Sequence, residues 1–392
     1  MRGVLAAAAL LASSVPANAQ QVPAAYKSLY RFSGHPSDGA APLTGLVGAG
    51  GVLYGMTSAG GRYGGGTVFT ITTAGQEAVL HDFGASPSDG TSPLGSLLDV
   101  GDTLYGTTFS GGSHGRGTVF KITTAGQESV LYNFGASPND GTGPAAGLID
   151  VRGTLYGTTA YGGSHGGGTV FTIAPSGQQS ILYNFGSSAV DGATPEASLL
   201  DIDGTLYGTT YLGGTSGNGT VFSLTTTGWE SVLHRFAGAP DGAGPVGALV
   251  AVNGTLYSTT LLGGGKRCNC GTVFSVTISG RENVVYRFGS RPQDGQDPAA
   301  GLVSIGETLY GTTSAGGAPH GSVSGTVFKV TTLGRESVLY RFGARPGDGS
   351  APRAPLVDLA GTLYGTASSG GEGMNRCRSF PQGCGTVFSI EP

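Results

Sequence analysis

The chain has 392 residues, with 75 Gly, 20 Pro, only 11% charged residues and a formal net charge of −4. That weak acidic balance excludes the basic surface of a nucleic-acid binder, and low charge beside 38% hydrophobic residues does not fit a disordered chain. No run reaches the ~20 apolar residues of a bilayer span, and glycine does not recur at every third position as collagen requires.

Residues 1–19 read as a secretory signal peptide, with Arg2 as its basic start, Val4 to Ala12 as a short apolar core and Ala17-Asn18-Ala19 as the small-residue cleavage site. Residues 20–392 are then one exported domain, periplasmic or extracellular. The segment Ser389-Ile390-Glu391-Pro392 shows no hydrophobic or basic cluster, so no membrane or cell-wall anchor is expected from it.

A repeat follows. Leu-Tyr-(Gly/Ser)-x-(Thr/Ala) recurs with its Tyr at 54, 105, 156, 207, 257, 310 and 364, and Gly-Thr-Val-Phe follows each copy. A third segment such as Val130-Leu131-Tyr132-Asn133-Phe134 comes next, then Asp-Gly at Asp38, Asp89, Asp140, Asp191, Asp241, Asp294 and Asp348. Each Asp stands 16 residues before its Tyr, whereas the spacing from Tyr to the Gly of Gly-Thr-Val-Phe runs from 12 to 21. Length variation is thus confined to one connection, which marks it as a surface loop.

Each unit reads as four strands. In the third copy strand a is Gly147–Val151, b is Thr154–Thr159, c is Thr169–Ala174 and d is Ser180–Phe185. Asp203-Gly204 and Asn253-Gly254 are strong hairpin signals for the a–b turn. Strand d is apolar on both faces, so each sheet is covered on both sides. Four-stranded units of about 50 residues that bury both faces are propeller blades. The chain opens on an orphan strand d, Ser28 to Phe32, and closes on a strand c, Gly385 to Ile390. The expectation is therefore an all-β, seven-bladed β-propeller, closed by pairing of its terminal strands.

Antiparallel order puts the d–a and b–c connections on one face. The variable b–c loops there offer Arg62 and Tyr63, His114 and Arg116, Tyr161 and His165, Tyr211, Arg267, His320 and Arg376 as candidate ligand contacts. His114 and His165 share Gly-Gly-Ser-His-Gly but have no third ligand nearby in sequence, so no metal is expected. A single Asp before Gly suits a turn better than calcium. Asp99, Asp150, Asp201 and Asp358 end strand a and read as caps of the a–b turn, with channel acid–base chemistry as the alternative. No Gly-x-Ser-x-Gly, His-Glu-x-x-His or Walker motif occurs. The four cysteines all fall in b–c loops, and pairing within each loop, Cys268 with Cys270 and Cys377 with Cys384, is the simplest arrangement for an exported protein.

The unit Leu-Tyr-Gly-Thr-Thr-x-x-Gly-Gly…Gly-Thr-Val-Phe…Val-Leu-Tyr-x-Phe…Asp-Gly…Pro, over residues 28–390, resembles the GloVer tandem repeat of exported bacterial "choice-of-anchor" proteins. The Cys-Gly-Thr-Val-Phe form at Cys270 and Cys384 is similar to that family too. The resemblance implies export and a repeat fold, and carries over no catalytic residue. The Gly-Gly after strand b is kelch-like, but the kelch Trp is missing.

Three functions fit. The first is a non-enzymatic binding scaffold for a glycan, small ligand or protein, acting through the b–c face. The second is a propeller enzyme of lyase, lactonase or glycosidase type. The third is a structural envelope protein. Small residues before strand a (Gly45, Ser96, Gly147, Ser198, Ala248, Gly301) suggest a tightly packed axis, which favours the first over the second. The expected protein is a monomer without a cofactor.

Overall fold

The computed structural model describes residues 25–265, 268–317, 324–371, 377 and 382–392. The signal-peptide reading of residues 1–19 and the candidates Arg267, His320 and Arg376 lie outside them.

Asn253 and Gly254 adopt φ of 50° and 74°, and Asp203 and Gly204 adopt 52° and 83°. These left-handed pairs make the tight a–b hairpins that the sequence signals. Each hairpin continues through strands c and d into a four-stranded antiparallel sheet. In blade 3 the strands are Ile149–Val151, Thr154–Thr159, Thr169–Ile173 and Gln179–Asn184. Strand a is shorter than expected because Gly147 packs against the backbone of Ser96 in the neighbouring blade instead of pairing within its own sheet.

Between strands c and d the register slips: Val170 faces Tyr183 but Phe171 faces Ile181, which leaves Leu182 as a bulge. The same slip recurs in every blade. It explains why strand d is apolar on both faces. A bulge turns consecutive side chains to opposite sides of the sheet while increasing its twist.

The blades meet through a repeated aromatic joint. The last Phe of strand d packs edge-to-face on the Phe of strand c in the next blade, with centroids 4.9–5.1 Å apart at all seven junctions, from Phe32–Phe69 to Phe342–Phe388. Such pairs add about 0.5–1.5 kcal/mol each beyond the area they bury. The ring closes as expected: Ala25–Arg31 pairs antiparallel with Thr386–Glu391 and becomes strand d of blade 7. The fold is therefore all-β, with seven blades of four strands.

Both loop disulfides are present, Cys268–Cys270 and Cys377–Cys384. The second is buried against Phe32 and Phe69 and so staples the b–c loop of blade 7 onto the closing seam.

Candidate functional site: an axial funnel

Every d–a loop returns from the rim to the axis and is tied down on the way. Its Asp-Gly segment pairs with the end of strand b of the blade it enters, as Gly141–Thr142 does with Tyr161–Gly162. The Asp itself is an acceptor hub. Asp140 Oδ2 accepts the Tyr132 hydroxyl at 2.9 Å and the N–H groups of Gly135 and Ala136 at 2.8 and 3.2 Å, and Oδ1 accepts the N–H of Gly141 at 2.8 Å. Equivalent bonds surround Asp38, Asp191, Asp294 and Asp348, so these carboxylates are occupied in holding the turn and the strand beside it.

The Pro of each d–a loop fixes the backbone, and the residue after it reaches the axis. Those seven residues are Leu43, Leu94, Ala145, Glu196, Val246, Ala299 and Arg353. Together they encircle a cavity of about 530 Å³. Below it the same ring leads into a throat of about 130 Å³, lined by Ser96, Gly147, Ser198, Ala248, Gly301 and their neighbours. The axis is packed at the throat by these small residues, as the sequence suggests. There Gly45 N–H donates to Ser96 Oγ at 2.9 Å across a blade boundary. Above the throat it opens into a funnel.

The funnel is not seven-fold in its chemistry. Five of the seven ring residues are aliphatic and two, Glu196 on blade 4 and Arg353 on blade 7, are charged, while Asp297 adds a further carboxyl to the wall from the loop entering blade 6. Blades 4 and 7 are as far apart as a seven-membered ring allows, so their charges face each other across the mouth. Burial pushes the Glu196 carboxyl above the usual carboxylate range. Burial also raises Asp297, beside the ring, while the Arg353 guanidinium works against that rise. Phe109 and Tyr161 form an edge-to-face pair on the wall, with centroids 6.4 Å apart. Gly143, at φ 65°, lets the loop backbone pass directly over both rings. Leu261, Leu262 and Ser314 complete the lining.

Of the b–c loop candidates inside the described residues, only Tyr161 lines this funnel. Tyr63, His114 with Arg116, and His165 stand over Gly84, Gly135 and Gly186, just past the outermost strand, and so occupy the rim. Arg62 lies over the Tyr63 ring at 5.6 Å there. His114 and His165 each hydrogen-bond the preceding serine hydroxyl through Nδ1, at 3.2 and 3.0 Å. Tyr211 packs on Gly244 between blades. Asp201 and Asp358 accept the N–H of Gly204 and Gly361 at 3.0 and 2.9 Å, which is the cap geometry expected of them on the opposite face. None of Asp99, Asp150, Asp201 and Asp358 lines the funnel.

Glu196 and Arg353 escape a sequence reading because each follows a loop proline, a position that reads only as part of a turn. The available signal is the contrast between copies: Pro-Glu and Pro-Arg interrupt a series of Pro-Leu, Pro-Leu, Pro-Ala, Pro-Val and Pro-Ala.

Seven small sheets around a ligand-sized axial cavity define a β-propeller. More particularly, the chain belongs to the Gloeobacter/Verrucomicrobia repeat family, which it matches over residues 18–135, 80–268 and 199–392. Among solved structures it is similar to a streptogramin B lyase, with a TM-score of 0.61, 13% identity, and coverage of 94% of this chain and 97% of the other. It is also similar to the BP39L lectin from Burkholderia pseudomallei, with a TM-score of 0.56, 12% identity, and coverage of 84% and 92%. At such identities the likeness is one of fold alone. No curated protein sequence matches the chain.

Proposed function

We propose that the protein is an exported, non-enzymatic binding propeller that holds a small ring-bearing ligand, of the sugar or polyol class, in the axial funnel. The observation that carries this reading is the break in the ring at Glu196 and Arg353, beside the Phe109–Tyr161 pair. Ligand pockets are mostly apolar, with a few polar groups that fix orientation. Here the aromatic pair offers a face for a ring. Glu196 offers an acceptor for hydroxyls, and Arg353 offers planar donors for a carboxylate or a vicinal diol. The two disulfides support an oxidising compartment. No helix among the described residues is long and apolar enough to cross a membrane.

The test is a glycan and metabolite binding screen on the full chain. Saturable binding is expected to weaken at least tenfold, about 1.4 kcal/mol, in Tyr161→Ala and in Arg353→Met, and to survive His165→Ala at the rim. Equal loss in His165→Ala moves the site off the axis and overturns the funnel as the ligand site.

One observation favours a second reading, turnover in the same funnel. Glu196 is raised by burial with no cation offsetting it, as suits a general acid. Steady conversion of a bound lactone or glycan, lost in Glu196→Gln while binding persists, selects this reading over the first.

A further inference from the structure

The blade joints carry a second carboxylate that the sequence does not announce. Near the end of strand d one residue reaches toward the Asp of the d–a loop that follows, so each joint assembles a strand d side chain, a loop Asp and a residue from the next blade, which is a Glu in five joints, Gln179 in one and Tyr26 in one. In five joints the strand d side chain is a tyrosine: Tyr30, Tyr132, Tyr183, Tyr286 and Tyr340. In the other two it is a histidine, His81 and His234.

That exchange replaces a hydroxyl, which donates to the Asp, with an imidazole that can ligate a metal. The atoms of His81, Asp89 and Glu128 that face one another all lie within 4.8 Å, and so do those of His234, Asp241 and Glu282. In the first cluster the polar atoms are orphaned. His81 Nε2, Asp89 Oδ1 and Glu128 Oε1 are all buried and make no hydrogen bond. His81 Nε2 stands 3.7 Å from Asp89 Oδ2, beyond hydrogen-bond reach. Asp89 is only 8% exposed. In the other six joints the matching Oδ1 accepts the N–H of the following glycine; at Asp89 it does not. Asp89 Oδ2 is held by the N–H groups of Gly84 and Ala85, and the strand d carboxyl is equally unpartnered in the tyrosine joints at Glu77, Glu230 and Glu336. What sets this joint apart is a buried imidazole nitrogen and a buried Asp oxygen that both lack a partner, in a group of three ligand-type side chains short of one positive centre.

We propose that His81, Asp89 and Glu128 form a divalent-cation site of the zinc type between blades 1 and 2, and that His234, Asp241 and Glu282 form its weaker counterpart between blades 4 and 5. One imidazole and two carboxylates suit Zn2+ better than Ca2+ or Mg2+, which prefer all-oxygen shells. The two carboxylates balance the ion's charge. Bonds of about 2.0–2.1 Å require ligand–ligand edges of roughly 3.4 Å, so the three side chains close slightly on binding. The second site is weaker for two reasons. His234 Nε2 already bonds Asp241 Oδ2 at 3.3 Å, and Arg287 stands by Glu282 as a competing cation. An ion in either site adds a clamp between two blades beside the Phe83–Phe120 or Phe236–Phe274 contact, and none of the six side chains lines the funnel.

The repeat supplies its own control. Tyrosine already occupies this position in five joints, so His81→Tyr and His234→Tyr convert each site to the ordinary joint of the same fold. The full chain is dialysed against buffered micromolar Zn2+ and its metal content measured, with Co2+ absorbance as a second readout. The wild type is expected to hold about two zinc ions per chain at the usual structural-site stoichiometry. His81→Tyr loses the tighter ion, and the double variant loses both while melting cooperatively. Glu128→Gln, which takes the amide already present at Gln179 in blade 3, also loses the tighter ion, and serves if the double variant does not fold. A wild type that retains no zinc, or a double variant that retains the full content, overturns the proposal.

Discussion

Glu77 stands in a joint that has no histidine, between Asp38 and Tyr30. Burial first, and the Asp38 carboxylate second, push its carboxyl up to about 7, while a bond from Tyr30 works the other way. Glu230 beside Asp191 and Glu336 beside Asp294 reach about 7 for the same leading causes, the first partly relieved by Arg235 and the second by a bond from Tyr286 and by Arg291 and Arg341. Each therefore carries a proton into the folded state near neutral pH. Between pH 4.5 and about 7 the folded chain keeps protons that the unfolded chain has released. Stability must then fall as pH rises through that window and level off above it. The triple variant Glu77→Gln, Glu230→Gln, Glu336→Gln copies the amide that blade 3 already has at Gln179, and should flatten the dependence of Tm on pH between 5 and 8. An unchanged slope would mean that these carboxyls are ionised in the native joint. Such residues are hidden from a sequence reading because their meaning is a contact between blades. Glu77 follows a c–d turn and looks like any exposed acid at a strand start, and only the ring sets it against Asp38.

Strands were far more legible than joints, because a strand's signal is local. The Asn253-Gly254 turn, the alternation in Leu-Tyr-Gly-Thr-Thr and the fixed spacing within each copy all concern residues that touch along one hairpin. The b–c loops show the limit. Their variability marks them as surface, but whether a loop tip reaches the axis depends on radial position. Strands b and c lie midway along the blade, so their loop tips sit outward, while the d–a loop must travel to the axis and delivers the residue after its proline there. Glycine within strand b is an element-scale constraint of the legible kind. Gly157 faces the Phe171 ring and Leu148, with no room for a side chain, and Gly55, Gly106, Gly208, Gly311 and Gly365 repeat the arrangement. Blade 5 alone has Ser258 there, and its hydroxyl donates to Gly247 O at 2.9 Å. Gly157→Val should cost about 1–3 kcal/mol by overpacking, read as a lower denaturation midpoint at unchanged m-value. Ser258→Gly should cost less, since it removes one hydrogen bond worth about 1 kcal/mol and restores the common residue.

The whole ring depends on a seam made by the two ends of the chain. A propeller left open at one blade exposes two strand edges, and exposed edges recruit other chains. Here Ala25–Arg31 covers the edge of Thr386–Glu391, and aromatic contacts of Tyr26 and Phe32 lock it. Tyr26 stacks on Tyr340 at 3.7 Å with 7° between planes, and its hydroxyl donates to Asp348 Oδ1 at 2.8 Å. Phe32 then packs on Phe69 in blade 1, so the seam is tied to both neighbouring blades. Tyr26 takes the place that Glu or Gln holds in the other joints, and so exchanges a buried acid for a stacked ring where the chain has no covalent continuity. Phe32→Ala should cost about 3–5 kcal/mol, as for other fully buried rings. A chain lacking residues 25–31 should lose more, melting at lower temperature and associating through the bared edge of strand c, which light scattering detects as dimers and larger species. If the shortened chain stays monomeric and melts at the original midpoint, the aromatic joints of the other blades hold the disc without its seam, and closure is then a consequence of blade packing, not its cause.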